Sequence, residues 1–158
     1  MATVLPSELL ADVLDTMPVA RLAVIDAAGR PDTMPIVFAR VGDWLFSPID
    51  GKPKKHPRLA RLAHIRQHPQ VTLTLDHYGD DWQSLWWIRL EVEAHIAVGS
   101  HACWDEAVTA LTDKYPQYQT TPLFLGEPTL IGLERQALRW WAASGVDGVA
   151  NWLSGGKA

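Results

Sequence analysis

A chain of 158 residues, 47% hydrophobic and 20% charged, has the size and composition of one folded domain. Its net charge of −4 argues against duplex nucleic acid as a partner, and a single cysteine excludes an internal disulfide and any cysteine-based zinc site. No run approaches the roughly 18 apolar residues of a membrane span, and the first 17 residues lack a basic segment followed by an apolar one. No membrane partner is therefore expected, and the cytoplasm is the default location. One domain is expected over residues 1–154, with a flexible tail at 155–158.

In chain order, Ser7 to Met17 reads as a short helix capped by Ser7, with Leu9, Leu10, Val13, Leu14 and Met17 on one side and Pro18 ending it. The period then changes to two. Arg21–Asp26 and Thr33–Arg40 read as strands around a turn at Ala27–Arg30, and Val41-Gly42-Asp43 leads into a third, Trp44–Pro48. Two tight turns in succession predict an antiparallel meander.

Twenty-five consecutive residues, Gly51 to Leu75, then carry Lys52, Lys54, Lys55, Arg58, Arg61 and Arg66 with no Asp or Glu. Six of the chain's 14 basic residues are here, and the other eight are set against 18 acidic ones. Pro57 suits the first turn of a helix whose apolar side is Leu59, Leu62 and Ile65, running to about Gln67. A basic turn feeding a helix N-terminus suits a phosphate or another anion, because unpaired N–H groups and side-chain cations converge there. A solvated basic face is the plain alternative, and nucleic acid a third reading.

Val71–His77 alternates as a strand. Trp86–Val98 alternates throughout, with Trp86, Ile88, Leu90, Val92, Ala94, Ile96 and Val98 apolar and Arg89, Glu91, Glu93 and His95 between them. A helix capped by Ser100 is expected from His101 to Lys114, and a last strand over Thr129–Ala142. The expected fold is mainly β (α+β): six strands, mostly antiparallel, with about three helices, the sheet closing into a barrel that removes its edges.

Other chemistries find little support. His64 and His68 are four apart but lack an intervening Glu, so no metal site is expected. There is no nucleophile elbow and no dinucleotide fingerprint. Cys103 among Trp104 and Ala107 reads as an inert buried thiol. In an alternating strand one of Trp140 and Trp141 faces outward, which suits a dimer interface or a stacking surface.

Several stretches together carry a resemblance. These are Arg21-Leu22-Ala23 with Gly29-Arg30-Pro31, Pro35-Ile36-Val37-Phe38, Lys52-Pro53-Lys54-Lys55 with Arg58 and Arg61, Asp76-His77-Tyr78 with Trp86-Trp87, and Tyr115-Pro116-Gln117-Tyr118. Over residues 18–142 the chain resembles the pyridoxamine 5'-phosphate oxidase-like, FMN-binding split β-barrel superfamily, and within it a flavin/deazaflavin oxidoreductase subgroup that uses coenzyme F420. The resemblance implies a homodimer with cofactor sites at the subunit interface, and hydride transfer between reduced F420 (alternatively FMN) and a small organic acceptor. It implies that Lys52, Lys54, Lys55 and Arg58 hold the cofactor phosphate and that Pro35, Ile36, Val37 and Ser47 line the ring. The other subunit's last strand would close the pocket, through Trp141 or its neighbour Trp140. No catalytic acid is assigned; Asp76, His77 and Tyr78 are candidates by proximity in sequence. Because haem also occurs on this barrel, a non-catalytic flavin or haem carrier is the alternative.

Overall fold

The computed structural model describes residues 3–51 and 59–155. A seven-stranded sheet in the order β2-β1-β5-β6-β7-β4-β3 carries four helices. The strands are β1 (Ala20–Ile25), β2 (Pro31–Ile36), β3 (Ala39–Val41), β4 (Trp44–Pro48), β5 (Gln70–His77), β6 (Trp86–Val98) and β7 (Thr129–Ala142). The helices are α1 (Ser7–Thr16), α2 (Leu59–Gln67), α3 (Trp104–Lys114) and α4 (Gly145–Gly155). All six strand pairings are antiparallel.

The sheet has seven strands rather than the expected six, and its ladder is open rather than closed, with β2 and β3 at opposite edges. The difference lies in Thr33–Arg40, read from the sequence as one strand. The chain leaves β2 at Ile36 and re-enters the sheet at Ala39 beside β4, so the two hairpins do not form a continuous meander. A side chain 77 residues away fixes this break. The Tyr115 hydroxyl accepts the Phe38 N–H at 3.0 Å, and its proton lies between the carbonyls of Phe38 (2.9 Å) and Pro18 (3.0 Å). Those backbone groups are thereby bonded to the phenol instead of to a neighbouring strand. Burial pushes the phenol up to about 12, with the Phe38 bond acting the other way.

Each hairpin has a local cause. The β1–β2 turn is an Asx-type turn, in which Asp26 Oδ1 accepts from the N–H groups of Ala28 and Arg30, each at 2.9 Å. These bonds, that to Arg30 first, hold the Asp26 carboxyl below its usual value. The β3–β4 connection is two residues long, and Gly42 takes the positive φ of 58° that a tight hairpin needs.

β6 and β7 lie side by side along their whole lengths, with an irregularity that leaves Gln136 without a partner between the pairs Glu91↔Ala137 and Val92↔Arg135. The even positions of β6 are buried from Trp86 to Ala94, as the alternation predicts, but at its end Val98 is exposed and Ala97 is buried. β4 shows no alternation, because it is buried on both faces. Leu45 packs into the main core with Leu22, Leu73, Ile88 and Leu133, whereas Phe46 packs with Ala107, Leu111 and Leu130 beneath α3.

Three helix expectations need correction. The N-cap of α1 is Pro6, and Ser7 is the first helical residue with no side-chain cap. α3 begins at Trp104, not His101, with Cys103 at its N-cap in place of Ser100. Its preceding turn is held by His101, whose Nδ1 accepts the Cys103 N–H at 3.0 Å. α4 was not expected. It buries Val149 and sets Trp152 edge-on to Trp86, with ring centroids 5.2 Å apart, and beside His77 at 5.1 Å. At the other end α3 is tied to α1 by Lys114, whose Nζ donates to the Leu14 carbonyl at 2.8 Å and lies 3.8 Å from the Phe38 ring centroid. No helix among the described residues is long and apolar enough to cross a membrane.

Candidate functional site

Where β2 and β4 end, a cleft of about 300 Å³ opens between them. Pro35, Ile36 and Val37 form one wall, and Ser47 and Pro48 form another. Among the described residues Val19, Asp50 and Arg61 also line it. The Tyr115 clamp places the first wall, because it turns the chain at Phe38 directly after Val37. β7 places the second through the pairs Ser47↔Ile131 and Pro48↔Leu130.

The exit from β4 is held as firmly. The Leu125 N–H donates to the Ile49 carbonyl at 3.0 Å, and the Gly51 N–H to the Pro122 carbonyl at 2.9 Å. A Cβ on Gly51 would stand 2.9 Å from the Pro122 ring, so the approach itself requires glycine here. Between these contacts Asp50 is 1% exposed. Its Oδ2 accepts the Tyr118 hydroxyl at 2.6 Å. Burial first, and then the carboxylate, push the Tyr118 phenol far above its usual range, so it serves as a donor. A side cavity of about 210 Å³, lined by Val37, Tyr115, Gln117, Tyr118 and Thr121, adjoins the cleft at Val37.

The cleft thus brings together four residues expected from the sequence to line a ring: Pro35, Ile36, Val37 and Ser47. Lys52, Lys54, Lys55 and Arg58 lie outside the described residues, as does the expected helix start at Pro57. Arg61, in the first described turn of α2, is in the cleft and donates to Met34 Sδ at 3.3 Å. Trp141 is not part of this cleft. It pairs with Trp87 on the outer side of the sheet and is 42% exposed, whereas Trp140 pairs with Ile88, packs against the core and donates to the Thr3 carbonyl at 3.1 Å.

Asp76, His77 and Tyr78 do not line the cleft. Asp76 faces Arg21 at 3.6 Å, His77 meets Ser84 and Trp152, and Tyr78 is 65% exposed. Two polar groups escaped sequence reasoning. Asp50 was legible only as an acid standing at the head of a run otherwise free of acids. Glu93, His95 and Glu134 bring ligand-type atoms within 4.8 Å of one another on β6 and β7, a spacing invisible to a search for helical pairs. None of the three lines the cleft.

The residues present suit a planar, partly polar ring. Five of the eight lining residues among the described ones are apolar, and the volume lies at the lower end of the range of small-molecule sites. Ser47, Asp50 and Arg61 supply a hydroxyl, an acceptor and a cation.

No family model matches the chain, and no curated protein matches it in sequence. Solved structures do match in fold. A conserved hypothetical protein of Mycobacterium tuberculosis, Rv2991, aligns with a TM-score of 0.69 at 17% identity, over 89% of this chain and 86% of that one. HutZ, a haem storage protein of Vibrio cholerae, aligns at 0.62 and 17% identity over 87% and 94% of the two chains. An FAD-binding protein of Mesorhizobium loti aligns at 0.59 and 16% identity over 86% and 92%. The chain thus shares its fold with a haem storage protein, an FAD-binding protein and, at a TM-score of 0.55 and 16% identity, a putative pyridoxamine 5'-phosphate oxidase of Listeria innocua.

Proposed function

We propose that the protein is a flavin- or deazaflavin-dependent oxidoreductase that binds its cofactor ring in the β2–β4 cleft, with coenzyme F420 the favoured cofactor and FMN the alternative. The observation that carries this reading is the meeting, in one cleft, of Pro35–Val37 from the end of β2 with Ser47 from β4. Pro35–Val37 belong to a stretch by which the sequence resembles the F420-using subgroup, and Ser47 is a position that the resemblance implies for the ring. The chain runs from Asp50 in this cleft into Lys52, Lys54, Lys55 and Arg58, and returns to it at Arg61, which supports a cationic clamp for the cofactor's anionic tail at that end.

When bound, a reduced ring supplies a hydride for a small organic acceptor, so the protein itself needs no nucleophile or metal. Its residues bind and orient. The Pro35–Val37 wall would pack against a bound ring and limit its access to water, and Ser47 would offer it a hydroxyl. A second copy would cover the open side, with the outward Trp141 as the contact. The working form under this reading is a homodimer.

Side-by-side titrations with FMN and coenzyme F420, followed by absorbance and fluorescence, test the assignment. Stoichiometric binding of either one, lost by more than tenfold in Lys54→Glu/Arg58→Glu with folding unchanged, is the expected result. Equal binding by that variant moves the anion clamp elsewhere. Tight binding with no turnover of any acceptor turns the reading into that of a carrier.

A further inference from the structure

We infer that Glu93, His95 and Glu134 form a site for a divalent transition-metal ion of the zinc class, on the face of β6 and β7 turned away from the main core. The inference is independent of the cofactor reading, because none of the three residues lines the β2–β4 cleft.

Strand register brings the three together. Glu93 and His95 are two apart on β6 and so share a face, and Glu93 pairs directly with Glu134 of β7. Two carboxylates set opposite each other across an antiparallel pair repel. Among the described residues no lysine or arginine is paired with either: Arg135 turns to Asp43 at 2.7 Å, and Arg139 meets Glu91 at 4.0 Å. Their basic neighbour is His95, whose Nε2 lies 3.5 Å from Glu134 Oε2 and 3.9 Å from Glu93 Oε1. The imidazole is also held in place. His95 pairs with Gly132, and the Trp44 ring lies over that glycine, where a Cβ would come within 3.2 Å of it. Trp44 packs against His95 with ring centroids 5.3 Å apart, and is itself stacked on Phe46 at 5.9 Å.

One imidazole nitrogen and two carboxylates are a mixed donor set. It favours zinc, cobalt or nickel over magnesium and calcium, which take oxygen ligands. With bonds of about 2.1 Å, neighbouring ligands of a tetrahedral ion stand roughly 3.4 Å apart. The ligand atoms here lie within 4.8 Å of one another, and the two separations from His95 already approach that spacing. The three side chains are between 37% and 43% exposed, so the carboxylates are free to close the remaining distance, and a further position stays open to water. An ion held there would neutralise the Glu93–Glu134 pair and tie β6 to β7 beside Trp44.

The test titrates the untagged, metal-free full chain with Zn²⁺ by isothermal calorimetry and with Co²⁺ by its visible ligand-field absorption. A single equivalent of each ion is expected to bind, the cobalt spectrum reporting nitrogen and oxygen ligands. His95→Gln and Glu134→Gln should each weaken binding at least tenfold. His68→Ala, which breaks the histidine pair on α2, should leave it unchanged. If His95→Gln fails to fold, Glu93→Gln/Glu134→Gln decides in its place, since that variant relieves the like-charge pair. Absence of both the heat and the cobalt spectrum in the wild-type protein overturns the inference and leaves the three residues as an ion-pair cluster around a protonated His95. Binding of equal strength in the wild type and in these variants overturns it as well, because the ion then sits elsewhere.

Discussion

Tyr115 connects three segments that are remote in sequence, and its hydroxyl decides where the second predicted strand breaks. Replacing it with Phe leaves the ring packed but strands the buried Phe38 N–H. A loss of about 1–3 kcal/mol in unfolding free energy is expected by chemical denaturation, the usual cost of an unsatisfied buried donor. Its neighbour Lys114 gives a pH signature. Burial pushes the Lys114 ammonium from 10.5 down to about 8, against a weaker opposing pull from Asp15. Below pH 8 the amine is charged whether the chain is folded or not. Between about 8 and 10.5 the unfolded chain holds a proton that the native state has released, so stability rises with pH. Tyr115, raised to about 12, acts in the opposite sense: above pH 10 the native state keeps a proton that the unfolded chain loses, and stability falls. Denaturation midpoints measured from pH 7 to 11 should pass through a maximum near pH 10. In Lys114→Met the rise between 8 and 10 should disappear while the later fall remains.

Among the elements, α4 shows where tertiary packing overrides local preference. Gly145, Gly148 and Gly155 give its sequence the look of a loop, although Val149, Trp152 and Leu153 recur at helical spacing. The helix persists because Trp152 covers Trp86 and His77, an apolar surface no propensity scale registers. Trp152→Ala should destabilise the fold by less than the roughly 3–5 kcal/mol of a fully buried Trp, and near-ultraviolet circular dichroism should report the altered setting of Trp86. By contrast β4, β6 and β7 are visible in the sequence residue for residue, since clear turns bound them and β6 alternates over most of its length. The split of β2 from β3 is not visible there, because its cause lies 77 residues downstream at the end of α3. Ser7 and Ser100 have the right chemistry for helix caps, but neither occupies the capping position. Pro6 and Cys103 stand there instead, and α3 starts late because His101 bonds the intervening turn.

At the scale of the whole molecule, an open seven-stranded sheet puts the ends of β2 and β4 beside each other although the strands are not paired. That arrangement creates the cleft. Pro35, Ile36, Val37 and Ser47 could be named beforehand because the resemblance covers their strands. Asp50 and Tyr118 could not, since only the folded chain joins a β4 exit to a turn 68 residues later. If a second copy completes the site, Trp141→Glu should dissociate the dimer in sedimentation experiments and weaken cofactor binding together, with each protomer still folded. The claim on which the account depends is that this cleft holds the cofactor ring, and Val37 stands where the cleft and its side cavity meet. Val37→Trp should fill that space, so the most direct measurement is a titration of the wild-type protein and this variant with FMN and with coenzyme F420. The account predicts tight binding of one cofactor by the wild type, and a loss of at least a hundredfold in Val37→Trp with an unchanged melting temperature. Equal affinity in the two proteins would contradict it.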